Sequence, residues 1–242
     1  GKEWQVCYLN SSVCGLSCLT SVQTWVSKLL ETSTQLQLDT NTVTGQLVLL
    51  LLAAQGSVDE EKTDVLALLK LLRTRFPRAR YMKAVSHDTH EVHDRINEYL
   101  REEKVQVQST LLTDCLNVEL RSSRQCTQCG TGKQSDNTFE YIMVIPGNRT
   151  CKLGSLLQQY CQIDTMRDYF CETCNEKQTS QVKYDILKIN GASLVVRVNR
   201  GLSNLRKTHT KVIYGVQQVF DTEEGQYDGR LRAVEVHIGW TA

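Results

Sequence analysis

Apolar residues in the first half of the chain recur at helical spacing. Val13, Leu16, Leu19, Val22, Val26 and Leu29 fall on one stripe, with Asn10 or Ser11 placed to cap its start. Leu47 to Ala54 is an unbroken apolar run of eight residues. A bilayer-spanning helix needs about 20, so this run predicts a buried helix. Ser57 and Glu60 have capping-box spacing ahead of a stripe of Val65, Leu68, Leu69, Leu72 and Phe76, which Pro77 stops. Asp88 and Glu91 repeat that spacing before Val92, Ile96, Tyr99 and Leu100. The second half alternates instead. Phe139, Tyr141, Met143 and Ile145 predict a half-buried strand, and Val182, Tyr184 and Ile186 a second. Asn190-Gly191 offers a hairpin turn from which Leu194, Val196 and Val198 return. Further strands are expected over Lys211–Val219 and Leu231–Ile238. The pattern is α+β, a helical lobe followed by an antiparallel-sheet lobe, with no internal repeat.

The chain has 242 residues, enough for one large domain or two lobes sharing a core. Its 28 basic and 27 acidic residues leave a net charge of +1. No basic excess points to nucleic acid, and no apolar segment points to a membrane. Ten cysteines raise the question of a disulfide scaffold. That class is usually too small to bury a core, whereas this chain is not. Four of the ten form the pairs Cys126-x-x-Cys129 and Cys171-x-x-Cys174, a metal spacing rather than a bridging framework. A tetrahedral zinc site needs four soft ligands, and each pair beside a predicted strand presents two thiolates to one ion. Gly130 follows the first pair, where a tight turn around metal is usual. Such a closed site is structural, since no position is left for water. A reducing compartment is expected, and the sequons at Asn10 and Asn148 carry no weight there.

Cys7 stands just before the first predicted helix, where the positive end of the helix dipole favours thiolate, the reactive form. Cys14, Cys18, Cys115, Cys151 and Cys161 are expected to be core residues. His87, His90 and His93 recur every three residues, but no carboxylate or cysteine completes a metal set, so they read as a solvated helix face. His209 falls in a basic loop with Arg206, Lys207 and Lys211.

The words around Cys7 add to this. Cys7-Tyr8-Leu9-Asn10-Ser11 resembles the cysteine box of the ubiquitin-specific proteases. Asp88-Thr89-His90-Glu91 resembles the segment that opens their thumb helix, and Cys126–Gly130 with Phe139 onward their first finger knuckle and strand. Tyr169–Cys174 resembles the second knuckle. Leu194–Arg200, then Tyr227 and Leu231–Gly239, resemble the strands leading to the histidine box. The ordered set spans nearly the whole chain. It implies a papain-like cysteine protease fold with a helical thumb over residues 1–120, and zinc-binding fingers with an antiparallel-sheet palm over 121–242. Residues 1–242 would together form a single catalytic domain.

The resemblance implies a deubiquitinating thiol protease acting on ubiquitin and ubiquitinated proteins, in the cytoplasm or nucleus. Cys7 would be the nucleophile and zinc a structural cofactor. His237 matches a non-catalytic histidine of the family. The general base is expected in a Gly-His-Tyr motif beyond Ala242, which would make the domain C-terminally incomplete. Lys2 stands where the family has an Asn that helps the oxyanion hole, Ser86 replaces a Gln, Val92 a Phe, and Gly201 a Phe. Two other classes remain open: a catalytically inactive ubiquitin-binding relative, and a zinc-ribbon interaction module unrelated to ubiquitin.

Overall fold

The helices of the first half assemble around their apolar faces in a computed structural model. It describes residues 7–32, 39–59, 63–75, 89–104, 106–107, 110–190, 193–199 and 210–234. These divide into two compact units, one built from the described residues up to Cys115 with those from Arg232, the other from Leu116–Leu231. Pro77, Asp88, Gly191, Arg200, Gly201, His87, His209 and His237 lie outside the described residues, as do Lys2, Glu60 and Ser86.

In the first unit, α1 (Cys7–Ser17) and α2 (Thr20–Thr32) share the stripe predicted for a single helix. Leu9, Val13 and Leu16 are buried on α1, and Val22, Trp25, Val26 and Leu29 on α2. The break has a local cause. The Ser17 hydroxyl donates to the Cys14 carbonyl at 2.8 Å, and the Cys18 N–H turns instead to Gly15 at 3.3 Å. Cys14 and Cys18 are exposed, against the expectation that they are core residues.

The apolar run forms α3 (Val43–Ala54), with Leu47, Val48 and Leu51 fully buried. It ends in a Schellman closure. Gly56 takes a positive φ of 71°, and the Ser57 N–H donates to the Leu52 carbonyl at 2.9 Å. Ser57 therefore terminates α3 and does not start the next helix. α4 (Val65–Arg75) is capped by Asp64, whose side chain accepts from the Leu66 N–H at 2.8 Å. α5 (Thr89–Glu103) buries Val92, Ile96, Tyr99 and Leu100 as its spacing predicts. A short pairing of β1 (Gln106–Val107) with β2 (Thr110–Leu111) and a single 3-10 turn at Thr113–Cys115 close the unit.

The start of α3 is held from a distance. The Glu103 carboxylate accepts from the Val43 N–H at 2.9 Å, the Thr44 N–H at 2.8 Å and the Thr44 hydroxyl at 2.6 Å. The Thr42 hydroxyl accepts from the Gly45 N–H at 3.0 Å. Three of the helix's orphan donors are thus satisfied, two by an anion at the positive end of the dipole. A side chain at Gly45 would meet the Asp39 carbonyl oxygen at 2.2 Å, so glycine is required there. Glu103→Ala is expected to lower stability by about 2 kcal/mol, from lost charge-assisted bonds to partly buried donors. Urea unfolding checks this, and an unchanged midpoint would count against it.

In the second unit, β3 (Val118–Cys126), β4 (Gly132–Phe139), β7 (Asp164–Cys171) and β8 (Glu176–Ile189) form an antiparallel sheet in the order β4-β3-β8-β7. β5 (Ile142–Val144) and β6 (Cys151–Lys152) precede α6 (Leu153–Tyr160). β9 (Val196–Val198) pairs with β5, and β10 (Val212–Ile213) with β6, both in parallel. β11 (Gln217–Thr222) and β12 (Gly225–Arg230) form a hairpin. Leu231–Val234 carries no strand. Val118, Leu120, Ile142, Val144, Leu153, Leu156, Leu157, Ile186 and Val212 make the core at the base of the sheet.

Two expectations change here. The face of β5 that is buried is Ile142 and Val144, at 0% and 3% exposure, whereas Met143 stands 41% exposed. Both registers of that segment are apolar, and the β-branched pair takes the core. The second change concerns the Asn190 hairpin. β8 pairs with β3 over 180–189 and with β7 over 176–182, and the chain after Asn190 does not turn back along it, since β9 pairs in parallel with β5. The Asn190 N–H extends the β3 contact by donating to the Asn117 carbonyl at 2.9 Å.

Candidate functional site: a four-thiolate centre and the head of helix α1

Two hairpin tips meet at one end of the four-stranded sheet. Cys126 ends β3 and Cys171 ends β7, both buried, while Cys129 and Cys174 lie in the turns that follow. The turns are built alike. The Gly130 N–H donates to the Cys126 carbonyl at 3.0 Å, and the Asn175 N–H to the Cys171 carbonyl at 2.8 Å. The residue after each second cysteine takes a positive φ, 71° at Gly130 and 58° at Asn175. Glycine adopts this freely and asparagine better than most residues. The signal for the second knuckle was therefore present as Cys174-Asn175, in the place of Cys129-Gly130. The tips are tied together by Thr127, whose N–H and hydroxyl both donate to the Thr179 carbonyl, at 3.0 and 2.9 Å.

The four sulfurs, drawn from both tips, lie within 4.8 Å of one another. Cys126 Sγ is 4.0 Å from Cys174 Sγ, and Cys129 Sγ is 3.6 Å from Cys171 Sγ. Zinc–thiolate bonds of about 2.3 Å in a tetrahedron place sulfurs roughly 3.8 Å apart, so the donor set fits such an ion. The electrostatics agree. Hydrogen bonds from the Thr131 side chain and backbone bring the Cys129 thiol down to about 6. The neighbouring sulfurs, Cys129 first, push Cys174 up to about 12. Four thiols this close cannot all ionise without a cation among them.

The remaining described thiols differ in kind. Burial, then the Asp114 carboxylate, pushes Cys115 up to about 11, and burial followed by Asp185 raises Cys161. Both are held as unreactive thiols. Cys151 is half-buried against the sheet core.

Cys7 is the first residue of the eleven-residue helix α1. Of the three closely spaced histidines, His90 and His93 lie on α5. Among the described residues the four cysteines are the one group of at least three potential ligands that converges. No helix among the described residues is long and apolar enough to cross a membrane.

Neither a protein-family model nor a curated protein sequence matches the chain. Solved structures do. A chain of the SAGA Ubp8/Sgf11/Sus1/Sgf73 DUB module bound to ubiquitin aldehyde matches with a TM-score of 0.68 and 16% identity, over 89% of this chain and 50% of the other. The same module bound to monoubiquitin gives a TM-score of 0.69 and 16% identity, over 88% and 51%. A yeast SAGA DUB module with a substituted Sgf73 gives 0.67 and 15% identity, over 88% and 50%. The chain shares their fold. It spans about half the length of the chains it matches.

Proposed function

We propose that the chain is the thumb, finger and palm part of a deubiquitinating thiol protease, with ubiquitin and ubiquitinated proteins as its partners. One conjunction supports this reading: a chain with the fold of the DUB-module chains carries Cys7-Tyr8-Leu9-Asn10-Ser11 at the head of its first helix. The helical residues of 1–120 act as thumb, and 121–242 as fingers and palm. Cys126, Cys129, Cys171 and Cys174 hold one structural zinc ion that ties the finger tips together. The ion has no part in bond cleavage, since its four positions are filled by thiolates.

In the reaction the Cys7 thiolate adds to the carbonyl carbon of ubiquitin's C-terminal glycine. Backbone N–H groups at the start of α1 stabilise the oxyanion. The carbon–nitrogen bond to the substrate amine then breaks, and the amine leaves with the proton a general base took from the thiol. Water hydrolyses the resulting thioester and returns Cys7. The expected location is the cytoplasm or nucleus.

Lys2, in the place of an oxyanion-hole Asn, favours a second reading: a ubiquitin-binding relative without turnover. Both readings predict binding. Titrating the chain into isotope-labelled ubiquitin is expected to shift ubiquitin resonances, weakly but measurably. A folded chain that leaves every resonance in place at high concentration would remove ubiquitin as the partner and leave a zinc-ribbon interaction module.

A further inference from the structure

The four-thiolate centre has a neighbour with no assigned role. Ser180 is 0% exposed, and its hydroxyl has no hydrogen-bond partner. A buried hydroxyl left unpaired costs roughly 1–3 kcal/mol, so it needs an explanation. Its position supplies one. In the β3–β8 ladder Ser180 stands directly opposite Cys126. Residues opposite one another in an antiparallel pair project from the same face of the sheet, with their Cβ atoms about 5 Å apart. Cys126 is itself buried, at 1% exposure, and its sulfur joins the cluster through Cys174 at 4.0 Å. Of the thiolates that metal binding creates, Cys126 is the one directly opposite Ser180 in the ladder.

The Thr179 carbonyl, one residue before Ser180, is taken by the N–H and hydroxyl of Thr127. The backbone at 179–180 is therefore clamped against the first knuckle, and the Ser180 side chain is held beside Cys126.

We propose that Ser180 is a positioning residue of the metal centre, its hydroxyl donating a hydrogen bond to the metal-bound thiolate of Cys126. This rests on the zinc reading of the four cysteines. The bond spreads the charge of a buried tetrathiolate, whose four sulfurs bring two more negative charges than a divalent ion neutralises. It also orients one of the two ligands that lie on strands rather than in turns. Partners of this kind commonly change metal affinity by about 10–100-fold.

The test uses the whole chain, first with zinc and a competing chelator, then with cobalt(II) in its place. Ser180→Ala is expected to bind zinc about tenfold more weakly and to shift the sulfur-to-cobalt charge-transfer band. That energy follows electron density on the thiolates. Ser180→Thr, which keeps a hydroxyl, should restore both, whereas Ser180→Val, of the same shape without one, should not. Weaker binding with an unmoved band in all three variants would mark a packing defect and overturn the proposal. So would wild-type affinity in Ser180→Ala. A wild-type chain that takes up no zinc or cobalt would instead sink the zinc reading itself, which separates the two failures.

Discussion

Cys174→Ser is expected to abolish tight zinc binding and to loosen the tip of the four-stranded sheet while leaving its base and the helical unit folded. The neighbouring sulfurs push Cys174 up to about 12, so its thiolate depends on a cation among them. The ion would link residues 48 and 42 positions apart across the two hairpins. The tips are otherwise held by the Thr127–Thr179 pair of bonds, the Arg124 guanidinium over the Tyr169 ring and the ladder itself. β4 is exposed along its whole length, and β7 is exposed except near Cys171. The base rests on Val118, Leu120 and Ile186 in the apolar core, which the metal does not touch. Losing one of four thiolates is expected to weaken zinc binding on the order of a thousandfold, about 4 kcal/mol. Metal analysis together with amide hydrogen exchange reads the result. Exchange should accelerate in residues 126–131 and 171–176 and stay slow at Val118 and Leu120. Well below one zinc per chain in reduced, freshly prepared wild-type protein, or unchanged exchange at the tips of the variant, would refute it.

What the sequence revealed follows the nature of each signal. The Cys-x-x-Cys pairs were legible because the spacing is itself the geometry: two residues between ligands make one turn. The buried stripes of α1 and α5 were legible because one face of each helix meets the core, and α3 was legible as an unbroken apolar run because it is buried on nearly all sides. Strand partners were harder to read, since pairing is decided by which edges are free. Asn190-Gly191 carries the strongest hairpin signal in the chain, yet β9 pairs in parallel with β5 rather than turning back along β8. The β11–β12 hairpin turns through Glu223-Glu224, which carries little turn signal. It is held by tertiary contacts: the Glu223 N–H donates to the Ile186 carbonyl at 3.0 Å, and its carboxylate meets Arg121 at 2.8 Å. The ladder shifts register between Glu119 and Leu120, leaving Leu187 as the extra residue beside Ile186. Nothing local in residues 217–230 specifies those partners. Ser180 was illegible for the same reason, since only the β3–β8 register sets it opposite Cys126.

The largest effect is expected at Cys7. A ubiquitin whose C-terminal glycine carries a thiol-reactive electrophile should form one covalent adduct per chain, at Cys7, and Cys7→Ala should slow adduct formation at least a thousandfold. Binding brings the electrophile to one place, and effective molarities for well-oriented partners are high enough to give such a ratio. Exposure alone does not predict the site. Cys14, Cys18 and Cys129 are all exposed, and Cys129 is the thiol brought down to about 6. A small untargeted alkylating agent should therefore modify Cys14 and Cys18, and Cys129 once zinc is stripped, whereas the ubiquitin reagent should spare them. Cys115, held up near 11 by burial, should resist both. Mass spectrometry of the adduct locates the bond. Labelling at Cys7 by the ubiquitin reagent supports a thiol protease. Resonance shifts without labelling support a ubiquitin-binding relative, in which Lys2 and its neighbours have replaced the oxyanion machinery. Labelling spread over Cys14, Cys18 and Cys129 at the rate of the small reagent would show that no ubiquitin site directs the chemistry.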